Sequence, residues 1–278
     1  MTLIANSYGK GRVRVMRVHR DGERNEVREL SVEVILHGGF ERAYTHADNS
    51  SVIATDTIKN VVNIVAREQM RACPEAFCEA LADRYLGRYP MVERVSVTAL
   101  ETRWTRLQIA GEPHPHAFTL DGNGRGVVRL ERGRAESVTR SGVDGFTFMK
   151  STASGWTNYV MDDWTTLRET RDRMAATSMS ASWLWSGEPA DYPGTNATIL
   201  RTMLEVFATT YSEGVQDSLY RMGEAALAAA PEIAEVRMSC PNKHYLPIDL
   251  APFGMSADNL VFTPTDEPHG QIECTVGR

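Results

Sequence analysis

The hydrophobic period of this chain changes along its length in an order that leaves few folds open. Leu30, Val32, Val34 and Leu36 recur at every second residue, the pattern of a strand with one buried face. Val13 and Val15 alternate with Arg12 and Arg14 ahead of it, and Asp21-Gly22 lies in the connection, so the chain opens as a long antiparallel hairpin that ends at Gly38-Gly39. The period then lengthens. Ile58, Val61, Val62 and Val65 form a helical stripe behind Thr55-Asp56, two residues suited to cap it. A second helix follows Pro74, with Phe77, Leu81 and Tyr85 on one face and Gly87 and Pro90 closing it. Alternation returns through Val95, Val97 and Ala99, and again at His116–Leu120 and Gly126–Leu130.

The same order recurs in the second half. Strand patterns fall around Arg134–Lys150 and Ser180–Trp185. Ile199, Leu200, Met203, Leu204 and Phe207 then make one helical stripe, and Val215, Leu219, Met222 and Leu227 make another. Past Pro231, Val236, Met238 and Cys240 alternate, and residues 271–276 supply a last strand. Strands, paired helices and strands again, twice over, predict an α+β fold of two tandem domains, 1–133 and 134–278, each an antiparallel sheet with helices on one face. Such sheets leave edges unpaired, and pairing them with further copies into a closed barrel removes the edges. Oligomerisation is therefore expected.

A chain of 278 residues, 24% charged and 42% hydrophobic, can bury a substantial core without disulfides or metal. Its 36 acidic residues exceed its 30 basic ones, so no global basic field exists and neither nucleic acid nor an anionic membrane is an expected partner. No stretch approaches ~20 apolar residues, and the first residues lack the apolar core of a signal peptide, so a soluble protein retained in the cell is expected. Cys73, Cys78, Cys240 and Cys274 are too few and too scattered for a secreted disulfide framework, which fits a reducing compartment. Asn49-Ser50-Ser51 matches a glycosylation acceptor, but without an export signal it reads as a loop.

Common catalytic motifs are missing. His114-x-His116 has no third ligand at diagnostic spacing, and Pro113 and Pro115 predict a loop there, so no metal site is expected. Cys73 and Cys78 flank a helix start and read as packing residues. Gly9-x-Gly11 lacks the third glycine of a dinucleotide fingerprint and lies inside the predicted hairpin.

Several longer strings, in order along the chain, are more specific. Tyr8-Gly9-Lys10 precedes Val13-Arg14-Val15. Asp48 to Asn60 reads DNSSVIATDTIKN. Lys150-Ser151-Thr152, Thr165 to Thr170 with Asp172-Arg173, Val215-Gln216, Pro241 to Tyr245 and the closing Cys274 to Arg278 follow. Together they resemble the urate oxidase (uricase) family, built from tandem T-fold domains. The resemblance implies oxidation of urate by dioxygen to 5-hydroxyisourate with release of hydrogen peroxide, without metal or organic cofactor. It also implies a homotetramer with active sites at subunit interfaces. The chain closes on Gly277-Arg278 rather than on the Ser-Lys-Leu signal of some family members, so a cytoplasmic location is expected.

The resemblance also implies roles for individual residues. Arg173 presents a guanidinium fork to one edge of the purine, and the Gln216 amide offers a donor and an acceptor to the other. Trp156 stands where the family typically carries a phenylalanine that stacks on urate. Leu167 and Val215 line the pocket, and Asp56 accepts from a ring N–H or supports the helix start. Lys10, Thr55 and His244 form the proton relay, with Lys10 acting as a base when desolvated or near other cations. Asn242 holds water, peroxide or dioxygen above the ring. Two other readings use the same residues: a different purine- or pterin-processing T-fold enzyme, and a purine-binding protein without catalysis.

Overall fold

The computed structural model describes residues 1–70, 73–256 and 258–278. In chain order its elements are β1 (Tyr8–Asp21), β2 (Arg24–Gly38), α1 (Glu41–Thr45), α2 (Thr55–Gln69), α3 (Pro74–Arg88), β3 (Val92–Thr102), β4 (Trp104–Ile109), β5 (Glu112–Leu120) and β6 (Arg125–Gly133). They continue as β7 (Ser137–Lys150), β8 (Ala175–Trp185), α4 (Tyr192–Thr209), α5 (Val215–Ala229), β9 (Ile233–Pro247) and β10 (Phe262–Gly277). The protein is α+β, with antiparallel strand pairing throughout the described register. It divides into two compact units, residues 1–142 with 188–193 and residues 143–187 with 194–278.

In the first unit β1, β2, β3 and β6 pair in that order. Leu30, Val32, Val34 and Leu36 of β2 are fully buried, as the period of two requires. They share one core with Ile58, Val62 and Val65 of α2 and with Phe77, Leu81 and Tyr85 of α3. The Tyr85 hydroxyl donates to the Ile58 carbonyl at 2.8 Å, so a buried polar group joins the two helices without remaining unpaired.

The second unit pairs β8 with β9 and β9 with β10. Met179 and Trp183 of β8, Ile199 and Met203 of α4, Leu219 and Met222 of α5 and Val236 of β9 are buried. The later part of β7 lies beside β8, where Ser180 donates to Asp144 at 2.7 Å and the Thr147 and Ser178 hydroxyls meet at 2.8 Å.

Three local expectations need correction. Thr55 is not a cap: Ala54 holds the N-cap position at φ −56° and ψ 136°, no side chain caps the helix, and Thr55 is the first helical residue. Gly87 does not close α3, which runs through it to Arg88. Its start is capped instead by the Cys73 thiol, which accepts from the Ala76 N–H at 3.4 Å. The loop expected around Pro113 and Pro115 is instead the start of β5, so His114 joins the strand read at His116–Leu120, because β4 and β5 form a separate two-stranded ribbon in which prolines are tolerated at strand edges.

That ribbon meets β2 through Glu29. The carboxylate accepts from Trp104 Nε1 at 3.0 Å and from Arg14 at 2.5 Å, and these bonds hold its pKa below the ordinary glutamate value. A carboxylate depressed in the folded state adds stability above its unfolded pKa and loses it as pH falls through the lower folded value. Glu29→Gln should therefore flatten the acid limb of the stability profile, read by urea denaturation between about pH 6 and pH 3.

Candidate active site

Lys10, Thr55 and Asp56 belong to the first unit. Lys10 pairs with Val34 in β1, and the register shifts between Lys10 and Val13, where Arg12 takes φ +54°. A side chain on Gly9 would run into the Val34 carbonyl, so glycine is needed for β1 to lie this close beside β2. Tyr8 fixes the neighbouring loop, because its hydroxyl accepts from the Ile53 N–H at 2.6 Å and its ring meets Phe40 edge-on at 4.8 Å. Two residues later α2 begins with Thr55 and Asp56, both exposed, and its first N–H groups have no helical partners. Asp56 pairs with Lys59 at 2.5 Å and accepts from Asn60 at 3.1 Å. Lys59 does most to hold its pKa below the usual carboxylate value, and Lys10 adds to the effect. Lys10 and the start of α2 thus share one electrostatic neighbourhood.

The remaining candidates belong to the second unit. Residues 151–174 form neither helix nor long strand, so their backbone groups need other partners. They find them in one another and in the turn before α5. Gly155 N donates to Ser212 O at 2.9 Å, Ser212 N to Ala153 O at 3.0 Å, and Arg173 N to Ser154 O at 2.9 Å. Trp156 and Thr170 exchange both backbone bonds, at 2.8 and 3.1 Å. Thr152 donates to the Asp172 carboxylate at 2.6 Å, so two strings far apart in the sequence meet.

This stitching assembles a cluster. The Arg173 guanidinium lies over the Trp156 ring at 5.7 Å, and Tyr159 stacks on the same indole at 5.8 Å with planes 14° apart. Tyr159 also donates to the Leu167 carbonyl at 2.7 Å, while the Leu167 side chain stays exposed. Burial pulls the Arg173 pKa down, an effect that Tyr211 opposes. Arg173 Nε is buried with no hydrogen-bond partner, a donor whose desolvation costs about 1–3 kcal/mol unless an acceptor arrives. Gln216 lies in the first turn of α5, where positive helix-dipole charge favours an anion.

Asn242 sits opposite Thr177 in the β8–β9 register. With Val215, Gly214, Ser154 and Ser212 it lines a small, mostly apolar cavity. His244, two residues further along β9, lies on the same strand face and pairs with Thr265 of β10.

The second unit therefore brings Arg173 over Trp156 and places the Trp156 indole and the Gln216 amide both beside Gly214, while Val215 and Asn242 line the cavity next to Gly214 and Leu167 is joined through Tyr159. Gly214, Ser154, Ser212, Ser218 and Tyr211 escape a reading of the sequence, because small and hydroxylated residues in a turn carry no periodic signal. Among the described residues no group of three or more His, Cys, Asp or Glu is placed to hold a metal ion. His114 and His116 form only a pair, with ring centroids 4.6 Å apart.

A model of the uricase family matches residues 6–130 and 139–273, spanning both units. The chain belongs to the uricase family. It is 37% identical over 273 residues to the uricase of Arthrobacter globiformis, covering 98% of this chain and 89% of that protein. It is 37% identical over 292 residues to the uricase of Aspergillus flavus, with 99% and 96% covered. The crystal structure of the Arthrobacter globiformis uricase superposes with a TM-score of 0.95, covering 100% of this chain and 95% of that one. A uricase structure from a Bacillus, at 21% identity and a TM-score of 0.86, shares the fold.

Within this cluster Tyr211 holds the segment next to Arg173, its hydroxyl donating to the Arg171 carbonyl at 2.8 Å. Tyr211→Phe should lower stability by about 1 kcal/mol in urea denaturation, and an unchanged midpoint would show that this bond does not hold the segment.

Proposed function

We infer that this chain is a urate oxidase, which oxidises urate with dioxygen and water to 5-hydroxyisourate and hydrogen peroxide. The observation that carries the reading is membership of the uricase family across both units, at 37% identity over 98% of the chain. The orphaned Arg173 Nε, in a cluster with an aromatic face and a helix N-terminus, supports a planar anionic ligand.

Deprotonated urate is electron-rich enough to reduce dioxygen itself, so the work left to the protein is binding, orientation and proton movement. In the proposed mechanism the Arg173 fork and the Gln216 amide hold opposite edges of the purine, and Trp156 covers its face, with Leu167 and Val215 lining the pocket. Lys10 takes a proton at Nζ, Thr55 passes it, and His244 shares it. Asp56 accepts from a ring N–H, and Asn242 holds oxygen or peroxide above the ring. The net reaction places the hydroxyl group of water on the purine, and dioxygen leaves as hydrogen peroxide with both electrons.

No metal or organic cofactor takes part in this proposal, which rests on the family resemblance. The same resemblance supports tandem T-fold domains at 1–133 and 134–278, a homotetramer and a cytoplasmic location. In the tetramer Lys10 and Thr55 of one copy complete the Arg173–Gln216 pocket of another. Consistent with assembly, β1 and β10 are edge strands. No helix among the described residues is long and apolar enough to cross a membrane.

Chelator-treated protein should consume urate and oxygen and release peroxide in equal amounts. Urate loss without peroxide would reject the oxidase reaction. Lys10→Met should cut kcat by about 100-fold or more with little change in KM, a typical loss for a proton-transfer group. Arg173→Ala should mainly raise KM, and the opposite pattern would overturn both roles.

A further inference from the structure

Gly214 has no backbone reason to be glycine. Its φ of −171° and ψ of 177° are extended values open to any residue, and Ser, Asn or Asp would serve better at the N-cap of α5. What excludes a side chain is the indole of Trp156. A Cβ at 214 would stand 2.7 Å from Cζ3 and 3.1 Å from Cε3, both on the six-membered ring, and 3.3 Å from Gln216 Oε1. The indole has little room to yield. Its backbone is bonded in both directions to Thr170, and its ring is stacked by Tyr159 with Arg173 at 5.7 Å.

We propose that Gly214 is a positioning residue of the purine site: its missing side chain seats the Trp156 indole beside Gln216 and Arg173, so that the aromatic wall of the site is fixed in one place. This rests on the urate reading above. The argument is one of volume. A methyl group at 214 would displace the wide ring of tryptophan, move that wall and press on the Gln216 amide. A phenyl ring at 156 has no atoms in the place of Cζ3 and Cε3, so the demand for glycine should vanish with it. That conditional dependence separates seating of the indole from a general need for glycine at a helix cap, which would not depend on residue 156.

The test is a cycle of four proteins: the natural chain, Gly214→Ala, Trp156→Phe and the double variant. Urate affinity is measured without oxygen, where no turnover occurs, and KM and kcat are measured with oxygen. Gly214→Ala should weaken anaerobic urate binding about tenfold, the scale of one lost aromatic contact. KM should rise alongside, with kcat at saturation changed by less than about threefold. In the Trp156→Phe background the same substitution should cost less than about threefold, the non-additivity of residues in contact. An equal loss in both backgrounds, or no loss with Trp156, would overturn the proposal. If Gly214→Ala alone does not fold, folding of the double variant supports the seating and failure of both overturns it. Absence of turnover in the natural chain would reject the reaction, yet the anaerobic cycle would still decide the role of Gly214.

Discussion

The candidate site depends on how an irregular stretch of chain satisfies its own backbone. Residues 151–174 have no helical or long-strand partners, and a backbone N–H or C=O left unpaired away from water is costly. The solution is a set of short bonds among Ala153, Ser154, Gly155, Trp156, Thr170, Arg173 and Ser212. Once these form, little freedom remains for the side chains they carry. Trp156 is held under Arg173, and its indole lies beside the first turn of α5. A loop fixed in this way can hold a rigid ligand with small ordering cost, which suits a flat purine.

Charge is organised around the same framework. In the second unit a partly buried guanidinium with an unused donor faces an aromatic ring. In the first, Asp56 at the start of α2 is engaged by Lys59 and Asn60 and feels Lys10. The two units thus carry different groups, a guanidinium with an unused donor over an aromatic ring in one and a lysine near a helix start in the other. A repeated scaffold with divergent sites fits the general rule that function resides in local residues grafted on a fold.

Much of the scaffold is legible in the sequence because its elements are strongly periodic. The stripe from Ile58 to Val65 is buried in full, while the hairpin leaves Val15 and the second-unit stripe leaves Val215 half-buried at their ends. The departures fall where the signal is weak. Thr55 has the chemistry of a cap but lies one residue inside the helix, a distinction set by the Ala54 backbone angles. The β4–β5 ribbon is only half visible because its prolines argue against a strand, an argument that holds for sheet interiors and not for a two-stranded ribbon. β8 and β10 begin well before the residues with the clearest alternation, although they end where it does to within a residue.

By itself the sequence determined the α+β class, the tandem repeat of elements and, through strings such as Thr165–Thr170 with Asp172-Arg173, the family. Those properties live in residue type and spacing, which a linear chain displays in full. Only the tertiary structure decided that Thr152 bonds Asp172, that Arg173 Nε is buried without an acceptor, and that Gly214 leaves room for the Trp156 indole. Each is a contact between residues many positions apart, or a volume left vacant, and neither exists until the chain has closed on itself.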